Sequence, residues 1–394
     1  MTASRRAAAG LLVVFMLGAA APAEAQDTLS GVVSFLLINR SIPTGDFSRD
    51  EQAAAATRDA VVAFLQTGLA TVPVTSPASG FTYRLDPSLG ASVRSSDSFG
   101  PFFTERSLSA GRRQFSFGLS FSQAAFDTMD GLNLRDGTLL ATASRFTGEA
   151  QPFDAETLTM RISARTVTLS AHAGLTDRLD IGATIPLVSV DFSGERVDTY
   201  RGSALVQATA AASATGLGDL VVAAKYNLWR RGASGIAAGV EGRIATGDKE
   251  NLIGGGEHLV TPRAIVSYER TRVGVHGNVG YTIGETVRAF EYSGAVSAVA
   301  SPKLTLVGEI VGSRVANDHR LTQIVEARTD LTGVETIRLV ALPSVTDRAA
   351  IVGGLRWNVG SRWLVGAYVL HPITTAGLNA RWVTSFNVDY AFGG

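Results

Sequence analysis

The sequence predicts an all-β chain closed into an antiparallel transmembrane β-barrel of about 12 strands, with room for 14, preceded by a small helix-containing N-terminal plug or periplasmic segment. Three observations predict it. Segments of about ten residues alternate apolar and polar side chains, connections alternate between tight turns and long loops, and aromatic residues gather at both ends of the segments.

The alternation is clearest in RVGVHGNVGYTI, residues 272–283. Val273, Val275, Val279, Tyr281 and Ile283 fall on one phase of a two-residue period, and Arg272, His276, Asn278 and Thr282 on the other. Phe115, Phe117, Leu119 and Phe121 repeat it against serine and glycine. Leu158, Met160 and Ile162 alternate with Thr159, Arg161 and Ser163, and a change of phase near Arg165 reads as a bulge. Further strands are expected over 178–190, 217–229, 235–246, 258–269, 272–284, 289–300, 303–314, 345–358, 362–371 and 380–392.

Tight turns fall at 174–178, 229–235, 269–272, 300–303 and 358–362, and long loops at 125–156, 192–216, 247–257 and 315–344. Outer-membrane barrels place such turns on one side and such loops on the other. Tyr226, Trp229, Tyr268, Trp357, Trp363, Tyr390 and Phe392 lie at the short-turn ends, while Tyr281, Phe290, Tyr292 and Trp382 lie at the long-loop ends. Two aromatic girdles suit two membrane interfaces. Hydrocarbon also penalises an open sheet edge, because each unpaired backbone group costs several kcal/mol there, so the sheet must close.

The start of the chain reads differently. Arg5 and Arg6 precede the apolar run Leu11 to Ala21, and Ala23-Glu24-Ala25 supplies small residues for cleavage, so residues 1–25 are expected to be a secretory signal. Residues 26–111 form the expected plug or periplasmic segment. Ser48 and Glu51 have capping-box spacing ahead of an alanine-rich helix over 52–69. Residues 112–394 form the barrel.

The chain has 394 residues, 45% of them hydrophobic and 18% charged, and no cysteine, which excludes disulfides and thiolate metal sites. Without Arg5, Arg6 and Glu24, its 35 basic and 35 acidic residues leave a net charge of −1, so no nucleic-acid partner is expected. The expected partners are outer-membrane lipid, the barrel-insertion machinery and a solute.

If the apolar phase meets lipid, the other phase lines the lumen. It carries Asp219, Lys225, Asn227, Glu241, Arg243, Arg263, Glu269, Arg272, His276, Asn278, Glu309, Arg348, Arg356, Arg381, Asn387 and Asp389. These mixed charges either line a path or merely satisfy one another in a packed interior. Pro186 and Pro262 lack a ladder donor and are candidate kinks at the long-loop rim, or alternatively mark a side opening into lipid. No catalytic set, metal site or cofactor is expected. His172, His258, His276, His319 and His371 are scattered, and only His319 beside Asp318 and His258 beside Glu257 could serve a rim enzyme. Gly254-Gly255-Gly256 lacks the Lys and Ser/Thr of a phosphate loop and reads as linker.

Three segments, GLTDRLDIGATIPLV (174–188), GLGDLVVAAKY (216–226) and GRIATGDKENLIGGG (242–256), resemble the family named for the MetA pathway of phenol degradation, similar in form to the long-chain fatty-acid channels of the outer membrane. The resemblance implies an outer-membrane barrel that passes small hydrophobic or aromatic compounds. It brings no binding residues with it, so Asp219 and Lys225 enter only as motif positions on the luminal phase. A structural or surface-interaction barrel with a packed lumen is the alternative expectation.

Overall fold

The computed structural model describes residues 28–37, 58–59, 61–65, 68, 75, 80–86, 88, 91–328, 331–360 and 362–393. In chain order the elements are α1 (Leu29–Leu37), β1 (Tyr83–Asp86), β2 (Ala91–Arg94), β3 (Gln114–Met129), β4 (Leu132–Asn133), β5 (Leu139–Phe146), β6 (Asp154–Gly174), β7 (Leu179–Tyr200) and β8 (Ser203–Leu217). There follow β9 (Leu220–Arg231), β10 (Ser234–Ile244), β11 (Leu259–Arg270), β12 (Val273–Ile283), β13 (Arg288–Ser301), β14 (Leu304–Ala327), β15 (Val334–Gly360), β16 (Trp363–Pro372) and β17 (Leu378–Gly393). The expected signal peptide lies outside the described residues. So does much of the expected helix over 52–69, within which 58–59, 61–65 and 68 are helical.

Twelve strands close the barrel in the order β3, β6, β7, β9 through β17 and back to β3, every neighbouring pair antiparallel. Along β12 the two faces separate as expected: Val273, Val275, Val279, Tyr281 and Ile283 are exposed, whereas His276, Asn278 and Thr282 are buried. Such a wall is stable in a membrane because its outward apolar side chains meet lipid and all backbone groups pair inside the sheet. Ile310 sits in that outward band, flanked by Gly294 and Ile351. Ile310→Arg is expected to destabilise the barrel by about 2–4 kcal/mol, read by urea unfolding in lipid vesicles.

The expected bulge near Arg165 is absent. Pairing of β6 with both β3 and β7 runs without a register shift through Arg165. What changes is the surroundings. Below this level the outward residues Leu169, Ile185, Leu187 and Phe121 are apolar and the inward Thr168 and Thr184 are polar. Above it Arg165, Arg161 and Asp191 face outward, while Met160, Ile162, Val190 and Phe192 pack inside an apolar core. An unbroken strand has therefore exchanged lipid for water outside and a polar lumen for a hydrophobic core inside. Phe121 pairs with Val167, Val167 with Leu187 and Phe386 with Phe121, and one step further out stand Gln123, Arg165, Ser189 and Thr384. That step marks the outer edge of the lipid band.

This exchange explains a second difference. Much of the expected long loops at 192–216 and 315–344 is strand: β7, β8, β14 and β15 continue beyond the membrane, and β8 lies against β7 as an additional strand. The apolar core there takes in α1, whose Leu29, Val33, Leu36 and Leu37 are buried. Burying each such side chain contributes about 2 kcal/mol. Ala208, Ala210, Ala212 and Ala214 of β8 join this core, and small side chains let the helix approach the strand. Gly194 of β7 needs the same closeness, since a Cβ there would lie 2.5 Å from Leu36 Cδ1.

Candidate functional site

The lumen is built in two storeys. The storey near the tight turns holds the described residues between 80 and 111, in which β1 and β2 pair with each other and residues 95–111 are irregular. The backbone donors of this irregular segment must find partners on the barrel wall. Three consecutive N–H groups, those of Phe102, Phe103 and Thr104, donate to the Glu309 carboxylate, with Thr104 N 2.9 Å from Oε2. Asp180 accepts from Ser109 Oγ (2.5 Å) and Ala110 N (3.0 Å) and has Lys225 Nζ at 3.5 Å. Lys225 and Asn227 donate to the carbonyls of Arg106 (2.9 Å) and Ser107 (2.7 Å). Arg356 donates to Pro101 O at 2.8 Å and lies 3.4 Å from Asp389, to which Asn387 Nδ2 also donates. Asn278, its amide oriented by its partners, accepts from Glu105 N and donates to Glu105 O. Arg106 of the segment reaches Gly80 O, Ser98 O and, at 3.8 Å, Glu269, and burial pushes its guanidinium down to about 10. His276 faces Ser267 at 3.0 Å, and Ser267 in turn accepts from Ser107 N.

Among the expected luminal residues, Lys225, Asn227, Asn278, Glu309 and Arg356 therefore bind the main chain of residues 99–110. Charge-assisted bonds of this kind are worth more than neutral ones, particularly away from water.

The storey near the long loops holds a cavity of about 310 Å³. Its polar wall is Glu241, Arg243, Arg263 and Glu291, with Arg263 Nη2 3.2 Å from Glu241 and 3.5 Å from Glu291. Its apolar wall is Ala124, Phe126, Val311, Val315, Leu370 and Val383, and Phe103 of the luminal segment closes it toward the tight turns. Arg348 lies on its margin, bound to Asp318 at 2.6 Å. A second cavity of about 80 Å³ shares Ala124, Arg243 and Val383 and reaches Pro186, Gly218 and Asp219.

Pro186 stands beside the outer edge of the lipid band, one residue short of the paired Val167 and Leu187, but not at a strand end. The strand runs on to Tyr200, and Pro186 marks where β7 changes neighbours: Leu179 to Thr184 pair with β9, Leu187 onward with β8. A residue without an N–H is tolerated there because the ladder is already interrupted. Pro262 faces outward on β11, where the ladder to β12 skips from Val260 to Arg263.

Two expected luminal residues are elsewhere. Arg272 is exposed in the turn between β11 and β12, just past the strand end. Arg381 is exposed because the register of β17 shifts between Ala380 and Val383, which turns both Arg381 and Trp382 outward.

The glycine run is ordered, not a linker. Asp219 accepts from Gly247 N (3.0 Å) and Gly255 N (2.9 Å), and Thr246 Oγ1 accepts from Leu220 N and donates to Gly218 O. Gly247 and Gly254 lie so close that a Cβ on either would come within 2.7 Å of the other's backbone, so only glycine fits. The loop also holds α1, through Asn251 Oδ1 to Leu29 N and Glu250 O to Ser30 N. Asp219→Ala orphans two N–H groups, and faster proteolysis within 247–256 is expected, with a local cost of about 1–3 kcal/mol.

The rim histidines have structural neighbours: His258 Nδ1 accepts from Ala245 N, and beside His319 the Asp318 carboxylate is engaged by Arg348 and Thr346. The residues missed in sequence were Asp180, Glu291, Ser267 and the apolar lining. Asp180 was visible on the polar phase of its strand. Ala124 and Val383 carried no signal, because an apolar residue in a barrel strand reads as a lipid contact.

Residues 141–377 match the family described as "Putative MetA-pathway of phenol degradation". No curated protein sequence matches the chain. Among solved structures, an outer membrane channel from Pseudomonas putida F1 is similar with a TM-score of 0.44 at 12% identity over 72% of this chain and 97% of that one. The translocator domain of the autotransporter NalP from Neisseria meningitidis follows with 0.36 at 11% identity over 72% and 89%. The CymD monoaromatic hydrocarbon channel has 0.27 at 10% identity over 72% and 90%.

Proposed function

The chain belongs to the family described as "Putative MetA-pathway of phenol degradation", and from that premise we propose that it is an outer-membrane channel for small hydrophobic or aromatic compounds. The observation that carries the reading is the outer cavity of about 310 Å³, with one apolar wall and one wall of neutralised charges. Ligand sites of this type bury an apolar body and orient it with a few polar groups. The paired Arg263, Glu241 and Glu291 offer a solute donors and acceptors without the single-sign ring of an ion-selective filter.

The luminal segment acts in this reading as a plug that bars water and ions. The solute leaves sideways, past the small cavity at Pro186 and Gly218 where β7 exchanges β9 for β8. A barrel with a permanently packed lumen is the second reading, favoured by the many bonds between residues 99–110 and the wall. Uptake separates the two. Porin-depleted Gram-negative cells expressing the chain are expected to take up a radiolabelled monoaromatic compound faster than cells with an empty vector. Equal rates, with the barrel folded in the outer membrane, would support the packed barrel instead.

A further inference from the structure

We propose that the outward face of β6, β7 and β8, just beyond the lipid band, binds the phosphorylated headgroup of an outer-leaflet glycolipid. A groove of about 530 Å³ runs there, lined by Arg135, Arg161, Asp191 and the serines Ser163, Ser193 and Ser213. It begins four residues beyond Val167 and Leu187 of the apolar ring, at the paired Ser163 and Asp191. Anything seated in it therefore has its remaining bulk against exposed Phe121, Leu169 and Leu187, which are lipid contacts. That continuity selects an amphiphile whose chains lie along the barrel and whose head enters the groove.

The charge selects an anionic head. Arg165 lies beside Asp191 at 3.5 Å and Arg135 beside Asp127 at 2.9 Å, while exposed Arg161 has no acidic partner among the described residues. Exposed Arg381, across β3, adds at the same level a second cation with no acidic partner among the described residues. Guanidinium groups bind phosphate oxygens through two parallel N–H bonds, and the serine hydroxyls provide further donors. Basic clusters flanking a membrane span recognise anionic lipid heads by the same chemistry. The hydroxyl-rich edge of β8, where Thr215 Oγ1 donates to Ser189 Oγ, suits the sugar of a glycolipid.

The test is native mass spectrometry of the full-length protein in detergent, mixed with bis-phosphorylated hexa-acyl lipid A or with the same lipid dephosphorylated. The wild type is expected to retain lipid A, the double variant Arg161→Ala/Arg165→Ala about tenfold less, as loss of roughly one bidentate contact implies. The dephosphorylated lipid is expected to be retained weakly and equally by both. Arg161→Lys/Arg165→Lys keeps the charge and should recover part of the binding, which separates headgroup recognition from misfolding. Folding of each variant is read from its heat-modifiable electrophoretic mobility. Equal retention of lipid A by folded wild type and double variant, or equal retention of both lipids by the wild type, would overturn the proposal.

Discussion

Cells carrying Glu309→Leu are expected to leak ions through the barrel, with single-channel conductance steps in planar bilayers where the wild type shows none. Leucine is close in size to glutamate, so the wall keeps its shape, but three consecutive N–H groups at Phe102, Phe103 and Thr104 lose their common acceptor. Each buried donor left unsatisfied costs about 1–3 kcal/mol, and bonds to a charged acceptor are at the upper end. Arg356, whose donor contacts reach Pro101 O and Asp389, and Thr305, whose Oγ1 accepts from Phe99 N, are left to hold this part of the segment to the wall. Hydrogen exchange over residues 99–107 should accelerate in parallel. Glu309→Gln retains one acceptor oxygen and should give an intermediate result. Exit sideways above the segment predicts that aromatic uptake by Glu309→Leu stays near the wild-type rate while ion conductance appears.

Ala124→Trp is expected to have the opposite profile. Ala124 lines both cavities, so an indole there takes up the space between Phe103 and Val383 and the way from the large cavity to the small one. Uptake of a monoaromatic compound should fall to the level of cells without the channel. Overpacking a tight site costs about 1–3 kcal/mol, but this site is open, so barrel stability should change little. Unchanged uptake with a folded barrel would place the route elsewhere.

The barrel wall was legible because its rule is simple: within the lipid band, alternate residues meet hydrocarbon and polar lumen, and the pattern of β12 states that rule residue by residue. Beyond the band the rule inverts without any mark in the backbone. Leu158, Met160 and Ile162 look like lipid contacts and are core, so the change at Arg165 resembled a bulge and the outer lengths of β7, β8, β14 and β15 resembled loops. The luminal charges were recognisable by phase, as Glu309, Lys225 and Arg356 show. Their partners were not, because those partners are main-chain groups of residues 99–110, which no side-chain pattern announces. The cavity was hidden for a related reason: its apolar wall is made of Ala124 and Val383, ordinary strand residues until the N-terminal chain and the register shift of β17 place them against empty space.

The central claim is that a solute occupies the outer cavity between Phe103 and the long loops. Crystals soaked in bromobenzene, with data collected at the bromine absorption edge, test it most directly. An anomalous peak bounded by Phe103, Ala124, Val383 and Arg263 is the expected result. Bromine found only along the lipid-facing surface of a fully ordered barrel would contradict it.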